Sequence, residues 1–282
     1  MLYKIQKAEK LSANLYLFEV EAPRIANKAE AGQFIIVRLN DQAERIPLTI
    51  ADYSREKGTI TLIFQAVGAS TQALAECVTG DAILDVVGPL GEASEIENYG
   101  TVVCIGGGVG IAPVYPITRE LKKAGNRVIS IIGARNTELL FWRDKMSEVS
   151  DELIIVTDDG SEGKKGFVTD ALKEIMAREA INQIWAIGPM IMMKTVTDVT
   201  RAGGIKTIVS LNPIMVDGTG MCGACRVSVG NETKFACVDG PEFDGHKVDW
   251  DLAMKRAKFF NAEERMSIEY KKCGGDGSCH QK

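Results

Sequence analysis

The sequence predicts a multi-domain β + α/β protein: an antiparallel β-barrel, then a doubly wound parallel sheet, then a small cysteine-bearing lobe. Three observations carry that prediction. Short β-branched and aromatic runs, separated by turn residues, fill the chain up to about residue 95. Apolar strands then alternate with segments of helical length as far as residue 211. Beyond them, three cysteines gather on a glycine-rich turn. The 282 residues, 45% of them hydrophobic, are enough for about two domains of ~150 residues, so the third unit is small.

Taken in order, residues 1–7 alternate apolar and polar like a strand and lack the continuous apolar core of a signal peptide. Strands are predicted at 14–20, 33–39, 59–64 and 82–87, each rich in Val, Ile, Leu or Phe. Between them lie Arg45-Ile46-Pro47-Leu48-Thr49 and Val67-Gly68-Ala69-Ser70-Thr71. Arginine suits a pyrophosphate or the edge of a charged ring, although a barrel strand with one exposed arginine reads the same way. The second segment resembles a turn feeding a helix, either to receive a phosphate or simply to cap the helix with Ser70 or Thr71.

From residue 101 the period changes. Thr101–Ile105 reads as a buried strand ending in Gly106-Gly107-Gly108-Val109-Gly110, with a helix to Gly125. Strands follow at 128–132, 153–156, 184–187 and 207–211, with helices expected over 137–149, from Thr169, and after Gly188-Pro189. The contiguous glycines depart from the usual dinucleotide fingerprint. The loops holding Arg135 and Asp158, and Gly188, would share the carboxyl edge of the same sheet, where ligands bind. Nucleotide binding is the expectation.

The last unit carries Asp217, Cys222, Cys225 and Cys237 in the spacing D-x4-C-x2-C-x11-C, with glycines between. Soft thiolates this close normally hold iron–sulfur or zinc. Asp217 reads as a fourth ligand or as an Asp-Gly turn residue. Cys273, Cys279 and His280 allow a second metal site or a mobile tail, and Met190, Met192 and Met193 a helix face packed on the core. A net charge of −5 with scattered basic residues gives no footprint for nucleic acid or membrane. The longest uncharged stretch, 101–118, is broken by glycines and prolines and is a poor spanning helix. Seven cysteines without a signal sequence point to a reducing cytoplasm.

In this order, Arg45-x-Pro47-Leu48-Thr49, Gly68-x-Ser70-Thr71, Gly88-Pro89-Leu90-Gly91, Gly106–Gly110 and Gly188-Pro189-Met190 resemble the ferredoxin–NADP reductase superfamily. The cysteine spacing, Asp239-Gly240-Pro241-Glu242-Phe243 and Val248-Asp249-Trp250 narrow the likeness to electron-transfer subunits of dihydroorotate dehydrogenase. Those have cysteine at all four ligand positions. Aspartate at 217 resembles instead the small-subunit family of NADH-dependent reduced ferredoxin:NADP oxidoreductases.

The resemblance implies a flavin-binding barrel over 1–97, an NAD(P)-binding domain over 98–211 and an iron–sulfur lobe with tail over 212–282. It implies FAD beside Arg45, Pro47, Leu48, Thr49 and Ile63, with Gly68, Ser70 and Thr71 on its phosphates. NAD(H) would lie on Gly107, Gly108 and Gly110, with Arg135, Asp158 and Gly188 nearby; Asp158 and Asp159 oppose a 2′-phosphate. Asp217, Cys222, Cys225 and Cys237 would hold a 2Fe–2S cluster. The implied function is an oxidoreductase subunit passing electrons among these groups, with no catalytic acid or base. Its partners would be a larger FAD/4Fe–4S subunit and, through the complex, ferredoxin. An orotate-linked subunit and a non-catalytic nucleotide- and zinc-binding subunit are the alternatives.

Overall fold

The structure, a computed structural model, describes residues 2–272. Cys273, Cys279 and His280 lie outside the described residues. The first unit is one antiparallel sheet of seven strands: β1 (Tyr3–Lys10), β2 (Leu15–Glu21), β3 (Phe34–Arg38), β4 (Ile46–Ser54), β5 (Thr59–Gln65), β6 (Ala82–Ile83) and β7 (Asp85–Leu90). Their order is β6-β1-β2-β5-β4-β3-β7. The two edge strands, β6 and β7, are separated in the chain by Leu84 alone, so the sheet has to roll up on itself. Phe18, Ile35, Ile50, Leu62, Phe64 and Ile83 fill its interior, each contributing about 1.5–3 kcal/mol by leaving water. Two short helices decorate it, α1 (Pro23–Ala26) and α2 (Ala69–Ala75).

The second sheet contains β8 (Thr101–Gly107), β9 (Arg127–Ala134), β10 (Glu152–Thr157), β11 (Lys164–Lys165), β12 (Gln183–Ile187) and β13 (Lys206–Ser210). These six are parallel, in the order β11-β10-β9-β8-β12-β13. β8 and β12 are buried along nearly their whole length, which explains their unbroken apolar runs. The connecting helices are α3 (Ile111–Lys123), α4 (Arg143–Glu148), α5 (Val168–Arg178) and α6 (Met190–Arg201). Ile111, Val114, Ile117 and Leu121 of α3 pack with Met146 of α4 in one apolar cluster. Leu172 of α5 and Val196 of α6 belong to another, so both faces of the sheet are covered.

Two sequence expectations change here. The helix expected over 137–149 shortens to a 3-10 turn at Thr137–Leu139, a non-helical link Leu140-Phe141 with Trp142 as a left-handed N-cap, and then α4. Leu140 and Phe141 turn into the core ahead of α4, and Trp142 at φ 55° is left-handed, which interrupts a right-handed helix at that point. The sheet is also not wholly parallel. The cysteine lobe contributes a hairpin, β14 (Arg226–Val229) and β15 (Glu232–Phe235), and a strand β16 (Glu242–Asp244) that runs antiparallel along β13. After β16 the lobe continues into helices α7 (Trp250–Arg256) and α8 (Asn261–Lys272).

The three units share cores. Leu15, Leu17, Ala51 and Ile63 of the barrel lie in the apolar cluster of α3 and β8. Phe34 and Ile36 of β3 join Cys225, Cys237 and Met215 of the lobe in the cluster on the opposite face. Between barrel and sheet, Asp52 of β4 binds Arg119 of α3 at 2.6 Å and Lys145 of α4 at 3.1 Å. No helix among the described residues is long and apolar enough to cross a membrane.

Candidate electron-transfer site

The barrel's contribution starts at β4. Pro47, Leu48 and Thr49 stand opposite Ile36, Ile35 and Phe34 of β3 and remain partly exposed on both faces, unlike a strand closed within a core. Arg45 is exposed just ahead of the strand. Ile63 is buried on β5, which packs against the Gly108–Gly110 turn of the second sheet. β4 and Ile63 therefore meet the nucleotide side of the molecule. Gly68 is the N-cap of α2, and Thr71 takes the capping role weighed for Ser70 or Thr71. Its Oγ1 accepts from Gly68 N at 3.0 Å and donates to Gly68 O at 3.1 Å. Ser70 Oγ donates to Glu44 at 2.9 Å. Val37, Ile46, Ser70, Leu74 and Ser267 line a cleft of about 340 Å³ between these elements and α8.

On the sheet, the glycines divide into two kinds. A Cβ on Gly110 would stand 2.2 Å from Ile187 O, and one on Gly107 would stand 2.4 Å from Met192 Sδ. Gly188 closes against Gly107 O at 2.9 Å by the same measure. These three let the ends of β8 and β12 touch. Gly108 differs: it has φ 55° and nothing within 4 Å of its would-be Cβ, so its backbone is presented to open space. Met193 is buried in the core with Met190 and Met192 packed against it, as expected of the methionine group, and Met192 also reaches the glycine turn.

The loops after β9 and β10 lie side by side. Asp158 N donates to Ala134 O at 3.1 Å, and Asp159 N to Arg135 O at 3.2 Å. Arg135, Asp158 and Asp159 are exposed at this edge. Two residues there went unread in the sequence. Glu162 accepts from Thr137 Oγ1 and from Arg143 at 3.1 Å, fixing one loop to the other. Asn136 Oδ1 is buried without a hydrogen-bond partner, an acceptor left for a bound group. A carbonyl oxygen of asparagine at a strand end carries no sequence signature.

In the lobe, the loop before β14 comes against the barrel. Gly218 has φ 76°, and a Cβ there would stand 2.7 Å from Leu90 and 2.9 Å from Ile36. Cys225 and Cys237 are buried with their Sγ atoms 3.3 Å apart, and Cys222 is exposed on the same loop. Asp217 accepts backbone N–H groups from Thr219 and Cys222, both at 2.9 Å, and these bonds hold its carboxyl below the ordinary range. Burial and the adjacent Cys225 push the Cys237 thiol up to about 12. Among the described residues no three His, Cys, Asp or Glu side chains converge as a metal-holding group. Two of the four expected ligands are thus together. Cys222 is exposed, and its backbone N–H and side chain both lie against the Asp217 carboxylate, so the other two stand beside each other on the preceding loop.

The donor chemistry fits the expected groups. Paired buried sulfurs, one on a loop with three left-handed glycines (218, 220 and 223) and one just past the β14–β15 hairpin, suit a soft metal centre. The open Gly108 crest and the free Asn136 acceptor suit a nucleotide. Ile36 connects the two regions, touching Gly218 on one side and pairing with Pro47 on the other.

Comparison with known proteins agrees. Residues 2–94 match the oxidoreductase FAD-binding domain, 104–198 the oxidoreductase NAD-binding domain, and 212–249 the iron-sulfur cluster binding domain of dihydroorotate dehydrogenase B. The chain is 49% identical to the dihydroorotate dehydrogenase B (NAD(+)) electron transfer subunit homolog of Thermotoga maritima, with 95% of each chain covered. It is 33% identical to the electron transfer subunit of Desulforamulus reducens, over 88% of this chain and 97% of the relative. A solved structure of the NADH-dependent reduced ferredoxin-NADP oxidoreductase, described for flavin-based electron bifurcation, superposes with a TM-score of 0.91. Its identity to this chain is 48%, over 95% of this chain and 97% of its own.

Proposed function

The chain belongs to the dihydroorotate dehydrogenase B electron-transfer subunit family, of ferredoxin–NADP reductase type, and we propose that it works in an NADH-dependent ferredoxin:NADP oxidoreductase complex. It is an iron–sulfur flavoprotein oxidoreductase subunit with FAD-binding, NAD-binding and iron–sulfur domains. Relatives of this kind are electron-transfer subunits of larger assemblies, so a larger partner subunit goes with it. The observation that carries the finer reading is the 48% identity over nearly all of both chains to the ferredoxin-NADP structure. The electron transfer subunit of Desulforamulus reducens stands at 33% and that of Fusobacterium nucleatum at 28%.

When bound, FAD exchanges hydride equivalents with NAD(H) and single electrons with a cluster. This chain's own residues bind and orient. Arg45, Pro47, Leu48, Thr49 and Ile63 would border the flavin, with Gly68, Ser70 and Thr71 near its phosphates. Gly107, Gly110 and Gly188 pack the strand ends so that Gly108 can meet the nucleotide. Arg135 and Asp158 flank it, and the acidic side chains there favour NADH over its 2′-phosphorylated form. Cys222, Cys225, Cys237 and Asp217 would hold the 2Fe–2S cluster. The partner would carry a further FAD and 4Fe–4S clusters and pass electrons to ferredoxin.

The name of the Thermotoga maritima relative favours a second reading, service to an orotate-forming enzyme. Anaerobic purification with the native partner separates the two. The first predicts NADH-bleachable flavin and ferredoxin-dependent turnover of the co-purified complex. An orotate-forming partner overturns it, and a colourless chain with one zinc overturns both.

A further inference from the structure

Glu242 occupies the x position of Asp-Gly-Pro-x-Phe, where spacing alone assigns it nothing. On β16 it pairs with Ser210 of β13, and its side chain leaves the lobe. Oε1 accepts from Ser94 Oγ at 2.7 Å, on the segment leaving the barrel. Oε2 accepts from Trp185 Nε1 at 3.2 Å, on β12 in the nucleotide sheet. The residue is partly exposed as a whole, but its carboxyl end lies between Ser94, 8% exposed, and Trp185, 1% exposed. One side chain thus touches all three units.

The backbone around it is fitted to the same junction. Glu92 N donates to Gly240 O at 2.7 Å, and Leu211 N to Pro241 O at 2.9 Å. Gly32 of the barrel leaves the space: a Cβ there would stand 2.3 Å from Ser94 Oγ and 3.1 Å from Glu242 Oε1. We propose that Glu242 is a positioning residue for flavin-to-cluster electron transfer, one carboxyl that fixes the cysteine lobe to the barrel and the nucleotide sheet together. The inference rests on the electron-transfer reading above.

Its charge state matters to the joint. Burial raises the Glu242 carboxyl to about 7, and the Ser94 and Trp185 donors only partly offset that. Tyr99, whose ring lies 5.7 Å from that of Trp185, and buried Cys104 are the titratable groups pushed up in part by Glu242. Glu95 lies beside Tyr99, and Asp244 follows on β16. No basic group among the described residues contributes to its titration. The folded value stands above the unfolded one of about 4.3, so the folded chain holds this proton more tightly. Stability therefore falls as pH rises through the window between them, to about 7. The neutral acid closes the joint and the carboxylate strains it.

The test compares wild type with E242Q and E242A, as full chains loaded with FAD and cluster, from about pH 5.5 to 8.5. E242Q stays neutral, so its thermal midpoint should rise relative to wild type by several degrees as pH increases. Rapid mixing with NADH follows flavin bleaching and then cluster reduction in one trace. The ratio of the second rate to the first should fall about threefold or more with pH in wild type, stay flat in E242Q, and be low throughout in E242A. A midpoint gap that is constant with pH, together with identical wild-type and E242Q rate profiles, overturns the proposal. If NADH bleaches no flavin in wild type, the electron-transfer reading falls and the midpoint gap still decides whether Glu242 is a titrating joint.

Discussion

The carboxylate of Asp217 accepts the backbone N–H of Cys222 at 2.9 Å, bracing the loop that carries Cys222 and Cys225. A second bond from Thr219 at 2.9 Å makes the brace a two-point one. Each oxygen keeps a lone pair beyond the N–H bond it accepts, so the brace and a bond to iron are chemically compatible. Replacing Asp217 with Cys should keep a 2Fe–2S cluster with a shifted potential and a changed electron paramagnetic resonance spectrum. An unchanged spectrum means that Asp217 organises the loop and does not touch iron.

Cys225 and Cys237 are the buried pair, so C225S and C237S should each remove most of the iron and acid-labile sulfide while leaving FAD bound. A serine hydroxyl is a harder, less acidic donor than a thiol. Metal analysis beside the flavin absorbance checks this, and retention of full iron in either variant refutes the assignment.

Gly110 and Gly108 should respond to alanine to different degrees. At Gly110 the new Cβ would meet Ile187 O at 2.2 Å, forcing β8 and β12 apart, with a loss of roughly 3 kcal/mol or more and of NADH binding. At Gly108 nothing lies within 4 Å, so G108A bears only the left-handed backbone cost of about 1–2 kcal/mol. Thermal midpoints and NADH titration of the flavin separate the pair; equal losses contradict the packing argument.

Asp52 serves two cations across the barrel–sheet boundary, Arg119 and Lys145. D52N should cost about 1–3 kcal/mol, since half-buried charges lose a charge-assisted partner. The variant should also slow flavin reduction by NADH, because the two units lose a fixed contact. A double-mutant cycle with R119Q measures the coupling, and a cycle energy near zero dismisses the contact as incidental.

Much of this was legible in order. The β-branched and aromatic runs at 14–20 and 59–64 form β2 and β5, each with one face entering the barrel. The glycine turn after β8 was visible because strand ends this close admit no Cβ. The segment 137–149 was misread as one helix, since its apolar residues fit a helical period while Leu140 and Phe141 were in fact drawn into the core as a non-helical link. The hydroxyls of Gly68-x-Ser70-Thr71 could not be told apart in sequence. Only the fold placed Glu44 next to Ser70 and turned Thr71 back on Gly68.

By itself the sequence determined the succession of barrel, parallel sheet and cysteine lobe, because strand and helix periods and turn glycines are local properties of the chain. The tertiary structure decided how the units meet. It laid Gly218 on Ile36 and Leu90, set Asp52 against Arg119 and sent Glu242 to Ser94 and Trp185. Those partners lie 57 to 182 residues apart in sequence, from Glu242 and Trp185 to Gly218 and Ile36. No local period encodes such pairs. They follow from three apolar surfaces being buried against one another, which leaves each polar group at the boundary to find its partner there.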